Sequence, residues 1–196
     1  MKFKFCLYII IVLISVSCSN VIESEKHFNK AYKHYLNKNF ASSQKFILLS
    51  LKFNPLNKKS NLLHGEILFH TKKYDDAQKR IKFILKKYPC FSDAHLLNAK
   101  IKLNNYKLNN ALLSIKKGLE CSSSNPALLY YYGKVKHLQN KDSDAIVTLN
   151  YNFHNYYYLN KSHISINNIY KNLHLNNRQK KHQDMIDAIN TFKGTK

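Results

Sequence analysis

LLHGEILFHTKKYDDAQKRIKFILKKYP, residues 62–89, holds two apolar patterns at helical spacing, joined by a short polar turn. Gly65 sits in the first pattern and Ala77 in the second, and Pro89 closes the unit. A shift of 34 residues returns the same skeleton: Ala31, Gly65, Ala99 and Gly133 share one phase, and Ser43, Ala77, Ala111 and Ala145 share another. Apolar positions keep step. Ile47, Ile81, Ile115 and Leu149 form one series, and Leu51, Leu85, Leu119 and Phe153 the next. Small residues at fixed points let two helices approach closely, and the stripes at i, i+3 and i+4 supply the buried face.

A 34-residue helix–turn–helix period resembles the tetratricopeptide repeat (TPR). The resemblance implies an all-α fold: a right-handed superhelix of about four 34-residue repeats plus a degenerate C-terminal capping repeat. The repeats fall at about 24–57, 58–91, 92–125 and 126–157, with a degenerate repeat and capping helix over 158–196. Pro55 and Pro89 stop the second helices of the first two copies, because the residue before a proline is pushed out of the α region. Pro126 opens the fourth copy at a position suited to a helix N-terminus. Tyr74 plugs the turn of the second copy, whereas Asp142 stands in that place in the fourth and predicts a looser unit. The period is expected to fail at HNYYYLNKS, 154–162, leaving the last two helical patterns out of register.

The N-terminus reads as an address. In MKFKFCLYIIIVLISVS, residues 1–17, Lys2 and Lys4 precede an apolar run of secretory length, too short to span a bilayer comfortably. Ser15-Val16-Ser17-Cys18 then resembles a bacterial lipobox, with Ser15 where that motif usually has Leu. The resemblance implies cleavage before Cys18 and lipidation of Cys18, which would hold the chain at a membrane through multiple acyl chains. Ordinary signal cleavage near Ser17 and an uncleaved anchor are the alternatives. Residues 18–25 would form a lipidated tether, and Ser19 after the cysteine resembles an outer-membrane sorting signal.

Formal charge is +21, from 32 basic and 11 acidic residues. Such a balance suits an anionic partner. It also matches a Lys-, Asn-, Ile- and Tyr-rich composition, and arginine, the residue best suited to phosphate and base recognition, occurs only at Arg80 and Arg178. Composition is the preferred explanation, so nucleic acid is not the expected partner. Cys90 and Cys121 fall near the ends of successive second helices and can pair if their Cα atoms come within about 7 Å. His27 and His34 share a helical face without a third metal ligand, and no HExxH, phosphate loop or nucleophile elbow is present. No catalytic residue, metal site or cofactor is expected, and the chain reads as a non-enzyme.

TPR proteins generally bind extended segments along a concave side lined by first helices. Matching the family's inward positions gives Phe28, Tyr32, Tyr35, Leu62, Glu66, Phe69 and His70 in the first two repeats. In the third and fourth it gives Leu96, Lys100, Leu103, Asn104, Tyr130, Lys134 and His137. Tyr32, Tyr35, Phe69, His70, Lys100, Tyr130, Lys134 and His137 are the candidate binding residues, an aromatic and cationic set suited to a peptide. The layout also resembles the type IV pilus biogenesis lipoprotein (secretin pilotin) family, through the lipobox, LLYYYG at 128–133 and NYYYLNKSHISINN at 155–168. That implies a protein or peptide partner in the envelope, a secretin in particular, with the chain lipid-anchored at the outer membrane and facing the periplasm. A barrel-assembly accessory lipoprotein has the same general design.

Overall fold

Five left-handed turns mark the period in the backbone. Lys38, Lys72, Tyr106, Asn140 and His174 have φ of 58°, 62°, 53°, 59° and 56°, each 34 residues after the last. At each, two hydrogen bonds close the preceding helix. In the first, the N–H of Lys38 donates to the Tyr35 carbonyl at 2.9 Å and that of Asn39 to His34 at 2.9 Å. The same pair recurs at the fifth, from His174 to Lys171 at 3.1 Å and from Leu175 to Tyr170 at 2.9 Å. This is the Schellman closure, usually made with glycine.

In this computed structural model the backbone is described for residues 2–150 and 156–193, and side chains for 19–150, 160–176 and 178–187. The helices are α1 (Lys2–Leu36), α2 (Phe40–Phe53), α3 (Lys58–His70), α4 (Tyr74–Lys87) and α5 (Ser92–Asn104). They continue with α6 (Leu108–Cys121), α7 (Pro126–Leu138), α8 (Asp142–Asn150), α9 (Tyr156–Asn172) and α10 (Asn176–Lys193). Among the described residues there is no strand, and no helix is long and apolar enough to cross a membrane. The side chain of Cys18 and residues 151–155, which include Phe153 and the start of HNYYYLNKS, lie outside the described residues.

The chain divides into Met1–Pro89 and Cys90–Lys196. In the first unit Ala31, Ile47, Leu63 and Ile67 form a buried cluster, with Phe28, Tyr35, Phe40 and Phe46 packed against it. A seam of serines joins three helices: Ser24 and Ser50 donate to and accept from each other across α1 and α2, and Ser50 meets Ser60 of α3 at 2.7 Å. Ser43 adds a 2.8 Å bond to the Ala31 carbonyl. Small hydroxyls allow close helix approach while each buried oxygen keeps a partner. Ser24 is fully buried in this seam, whereas Val21 and Ile22, one turn earlier on α1, are exposed.

In the second unit Ala99, Ala111, Ile115, Leu128 and Val135 centre one cluster and Ala145, Leu149, Ile166 and Ile169 another. Gly133 is where α7 meets α8; a Cβ there would stand 2.6 Å from Leu149 Cγ and 3.2 Å from the Ala145 carbonyl oxygen. Cys90 and Cys121 are disulfide-bonded, with Cα atoms 5.3 Å apart.

Two expectations about the C-terminal part change. The second helices begin at Phe40, Tyr74, Leu108, Asp142 and Asn176, so the fifth copy is in register from His174 onward. It looked out of register because Asn167 and Gln179 occupy the small-residue phases, and because α9 starts four residues early relative to α7. Asp142 does not leave its turn loose either: His137 Nδ1 lies 2.6 Å from its carboxylate.

Candidate functional site: the aromatic face of the first helices

On the first unit, α1 and α3 present a run of rings. Phe28 stacks on Tyr32 at 6.0 Å and Tyr32 on Tyr35 at 6.5 Å. Tyr35 meets His70 edge-on at 5.7 Å, His70 stacks on Phe40 at 5.3 Å, and Phe69 meets His70 and Tyr74, both at 5.6 Å. The spacing is helical in origin: Phe28, Tyr32 and Tyr35 are four and three apart on α1, hence on one face. Phe40 and Tyr74 open the second helices and turn back toward it. Tyr32, Tyr35, Phe69 and His70 are thus brought together. Tyr32 is 46% exposed, whereas Tyr35 is half-buried against the core.

Glu66 sits within this face. Its carboxylate accepts from the Tyr35 hydroxyl and lies 3.8 Å from His70 Nε2. Burial, then the Glu66 charge, push the Tyr35 phenol far above its ordinary range. Tyr35 therefore stays a neutral donor. The face combines ring surfaces for apolar side chains with a carboxylate that favours an N–H or a cation.

The second unit treats its rings differently. Lys100 lies over Tyr131 at 6.0 Å and Lys161 over Tyr130 at 5.8 Å. Tyr130 meets Tyr131 edge-on at 5.3 Å and packs against the cluster of Ala145 and Leu149. Lys136 covers Tyr132 at 5.4 Å and pairs with Asp144 at 2.9 Å, which holds its ammonium above the ordinary lysine range. Lys134 is exposed. His137 is committed to Asp142. Lys100 and Tyr130 thus fall into one cation–aromatic layer, Lys134 stands in solvent, and His137 serves the turn of its own repeat.

The histidine pair on α1 has a packing role. His27 stacks on Phe53 at 5.6 Å and His34 on Phe46 at 5.4 Å. Among the described residues no group of three potential metal ligands occurs. A second pair escaped the sequence reading: His163 and His182, both buried, join α9 to α10 through an Nδ1–Nδ1 contact of 2.9 Å. Nothing in local sequence marks them, since they are 19 residues apart on different helices.

No protein-family model matches the sequence, and no curated protein does. Solved structures do match in fold. A thermophilic TPR protein of Thermus thermophilus is 12% identical over 83% of this chain and 89% of its own, at a TM-score of 0.72. PilF of Pseudomonas aeruginosa is 8% identical over 87% of this chain and 78% of its own, at 0.75. The first TPR of Spaghetti (RPAP3), bound to the HSP90 peptide SRMEEVD, is 13% identical over 61% of this chain and 95% of its own, at 0.57. The fold is that of a TPR protein: all-helical, built from 34-residue helix pairs.

Proposed function

We propose that this chain is a lipid-anchored TPR scaffold of the bacterial envelope that binds an extended segment of a protein partner along the α1/α3 face. The observation that carries the reading is the ring cluster of Tyr32, Tyr35, Phe69 and His70 around Glu66. Rings at this density offer apolar contact at low entropic cost, and the carboxylate fixes orientation. The Cys90–Cys121 disulfide supports an exported, oxidising location. Within the envelope, assembly of a type IV pilus secretin is the specific role, in line with the lipobox-like Ser15–Cys18 stretch and the fold shared with PilF. The face itself fits an accessory lipoprotein of outer-membrane protein assembly equally well, and the genetic test separates the two. Deleting the gene is expected to abolish secretin multimers and surface pili; normal pili exclude the secretin role. Metabolic labelling with a lipid analogue is expected to mark the wild-type chain and not a Cys18→Ala variant. Label persisting in that variant refutes the anchor.

A further inference from the structure

On the opposite side of α3 from Glu66 and Phe69, a crevice of about 450 Å³ opens between α2 and α4. At 100° per residue, His64 points roughly 140–160° and Leu68 roughly 100–160° away from the Leu62, Glu66 and Phe69 stripe, so this crevice is separate from the aromatic face. Its volume falls in the range of small-ligand sites, about 300–1,000 Å³.

Its walls have a definite chemistry. Leu48 of α2 and Phe83 of α4 stand 47% and 39% exposed at the rim. Three cations line it, Lys73, Lys79 and Arg80, against one carboxylate, Asp76. Asp76 is turned to Lys79, 3.3 Å away, in an exposed pair. Arg80 is half-buried, and its guanidinium donates to the neutral amide oxygen of Asn61 at 3.0 Å. Among the described residues it meets no carboxylate. His64 is only 6% exposed, yet its Nδ1 has no hydrogen-bond partner. A buried imidazole nitrogen without a partner carries a desolvation cost that no hydrogen bond offsets. A half-buried guanidinium without a counter-ion carries a further desolvation cost. Both are answered by one ligand, a carboxylate.

We propose that the α2/α4 crevice is a second recognition site, which takes an acidic, apolar-flanked segment of a partner protein: a carboxylate between Arg80 and His64, and a Leu, Ile or Phe side chain against Leu48 and Phe83. Neutral His64 supplies an N–H, and burial with Arg80 beside it holds its pKa down at about 4, so it does not compete for the charge. A peptide fits better than a membrane surface because the imidazole nitrogen is recessed and the apolar contacts lie at the rim beside the charge.

The test begins with random heptapeptides displayed on phage and selected on the full chain. Sequences with Asp or Glu beside Leu, Ile or Phe are expected to be enriched. The best of them, made synthetically with a fluorescein label, is then titrated by anisotropy. Arg80→Gln, and separately Glu→Gln or Asp→Asn in the peptide, should each weaken binding about tenfold or more, the worth of one charge-assisted contact. The peptide substitution keeps the test decisive should the Arg80 variant misfold. Tyr35→Ala, on the aromatic face, should leave binding within about twofold, so failure here and failure of the proposed function are told apart. Enriched sequences without an acid, binding indifferent to Arg80→Gln and to the peptide amide, or loss of binding in Tyr35→Ala overturns the proposal. So does an unenriched library combined with Arg80-dependent binding to phosphatidylglycerol vesicles, which assigns the crevice to lipid.

Discussion

Replacing Gly133 by alanine sets two effects of known sign against each other. Alanine in a helix interior is worth about 0.8–1 kcal/mol more than glycine. The added Cβ, however, would stand 2.6 Å from Leu149 Cγ, 2.9 Å from Leu149 Cδ2 and 3.2 Å from the Ala145 carbonyl oxygen. Leu149 is 1% exposed, and its Cγ is the branch point, so the clash is not relieved by swinging a chain end. Overpacking of this kind costs about 1–3 kcal/mol. The backbone oxygen on the other side argues for the upper half, giving a net loss of about 1–2 kcal/mol. For a unit of this size that is roughly 4–15 °C in melting temperature. The assay is urea and thermal unfolding of Gly133→Ala in two backgrounds, wild type and Leu149→Ala. The sign should reverse: with Leu149 truncated the clash disappears and alanine should stabilise by up to about 1 kcal/mol. A Gly133→Ala chain as stable as wild type, or a loss unchanged in the Leu149→Ala background, refutes the claim that Gly133 is kept for the approach of α7 to α8.

Three further outcomes follow. Tyr106 holds φ 53° while 90% exposed, so Tyr106→Gly removes strain at little contact cost and should raise stability by about 0.5–1 kcal/mol in urea unfolding; a decrease contradicts the turn assignment. Acid should loosen the fold. Burial and Arg80 lower His64 to about 4 from 6.5, and burial lowers His163 and His182; the unfolded chain therefore binds these protons more tightly. The stability is present above pH 6.5 and falls as pH drops through it, levelling for His64 near 4. At about pH 5 the loss from His64 is roughly 1–2 kcal/mol, allowing for solvent screening, and His64→Gln should shrink the difference between urea midpoints at about pH 7.5 and pH 5. Reducing the Cys90–Cys121 bridge, 31 residues apart, should cost about 3–4 kcal/mol by loop-closure entropy; a Cys121→Ser variant with an unchanged midpoint contradicts it.

The fold was legible where side chains repeat. Ala31, Ala77, Ala99, Ala111 and Ala145 are all fully buried, and so are Ile47, Ile81 and Ile115, because a helix pair can meet its neighbour only through small residues and a branched apolar stripe at one phase. It was illegible where geometry repeats without them. Lys38, Lys72, Tyr106, Asn140 and His174 share a left-handed turn but no chemistry, since backbone hydrogen bonds close it. That is why the fifth repeat looked out of register. The aromatic face could be read from its spacing, but the division of labour could not: Tyr35 and Glu66 form a polar core to the face, whereas Tyr130 and Tyr131 carry lysines. The α2/α4 crevice left one trace, Arg80, in a chain with only two arginines. His64 beside it sits on the side of α3 that the repeat pattern marks as interior.

Photocrosslinking in the living cell reads out whether the α1/α3 face holds a protein partner. Benzoylphenylalanine replaces Tyr32, 46% exposed at the edge of the ring cluster, or exposed Lys116 on α6. A discrete envelope-protein adduct is expected from position 32, absent at position 116 and lost when Phe69 is changed to alanine. An adduct at position 116 alone, or one at position 32 that survives Phe69→Ala undiminished, contradicts partner binding on this face.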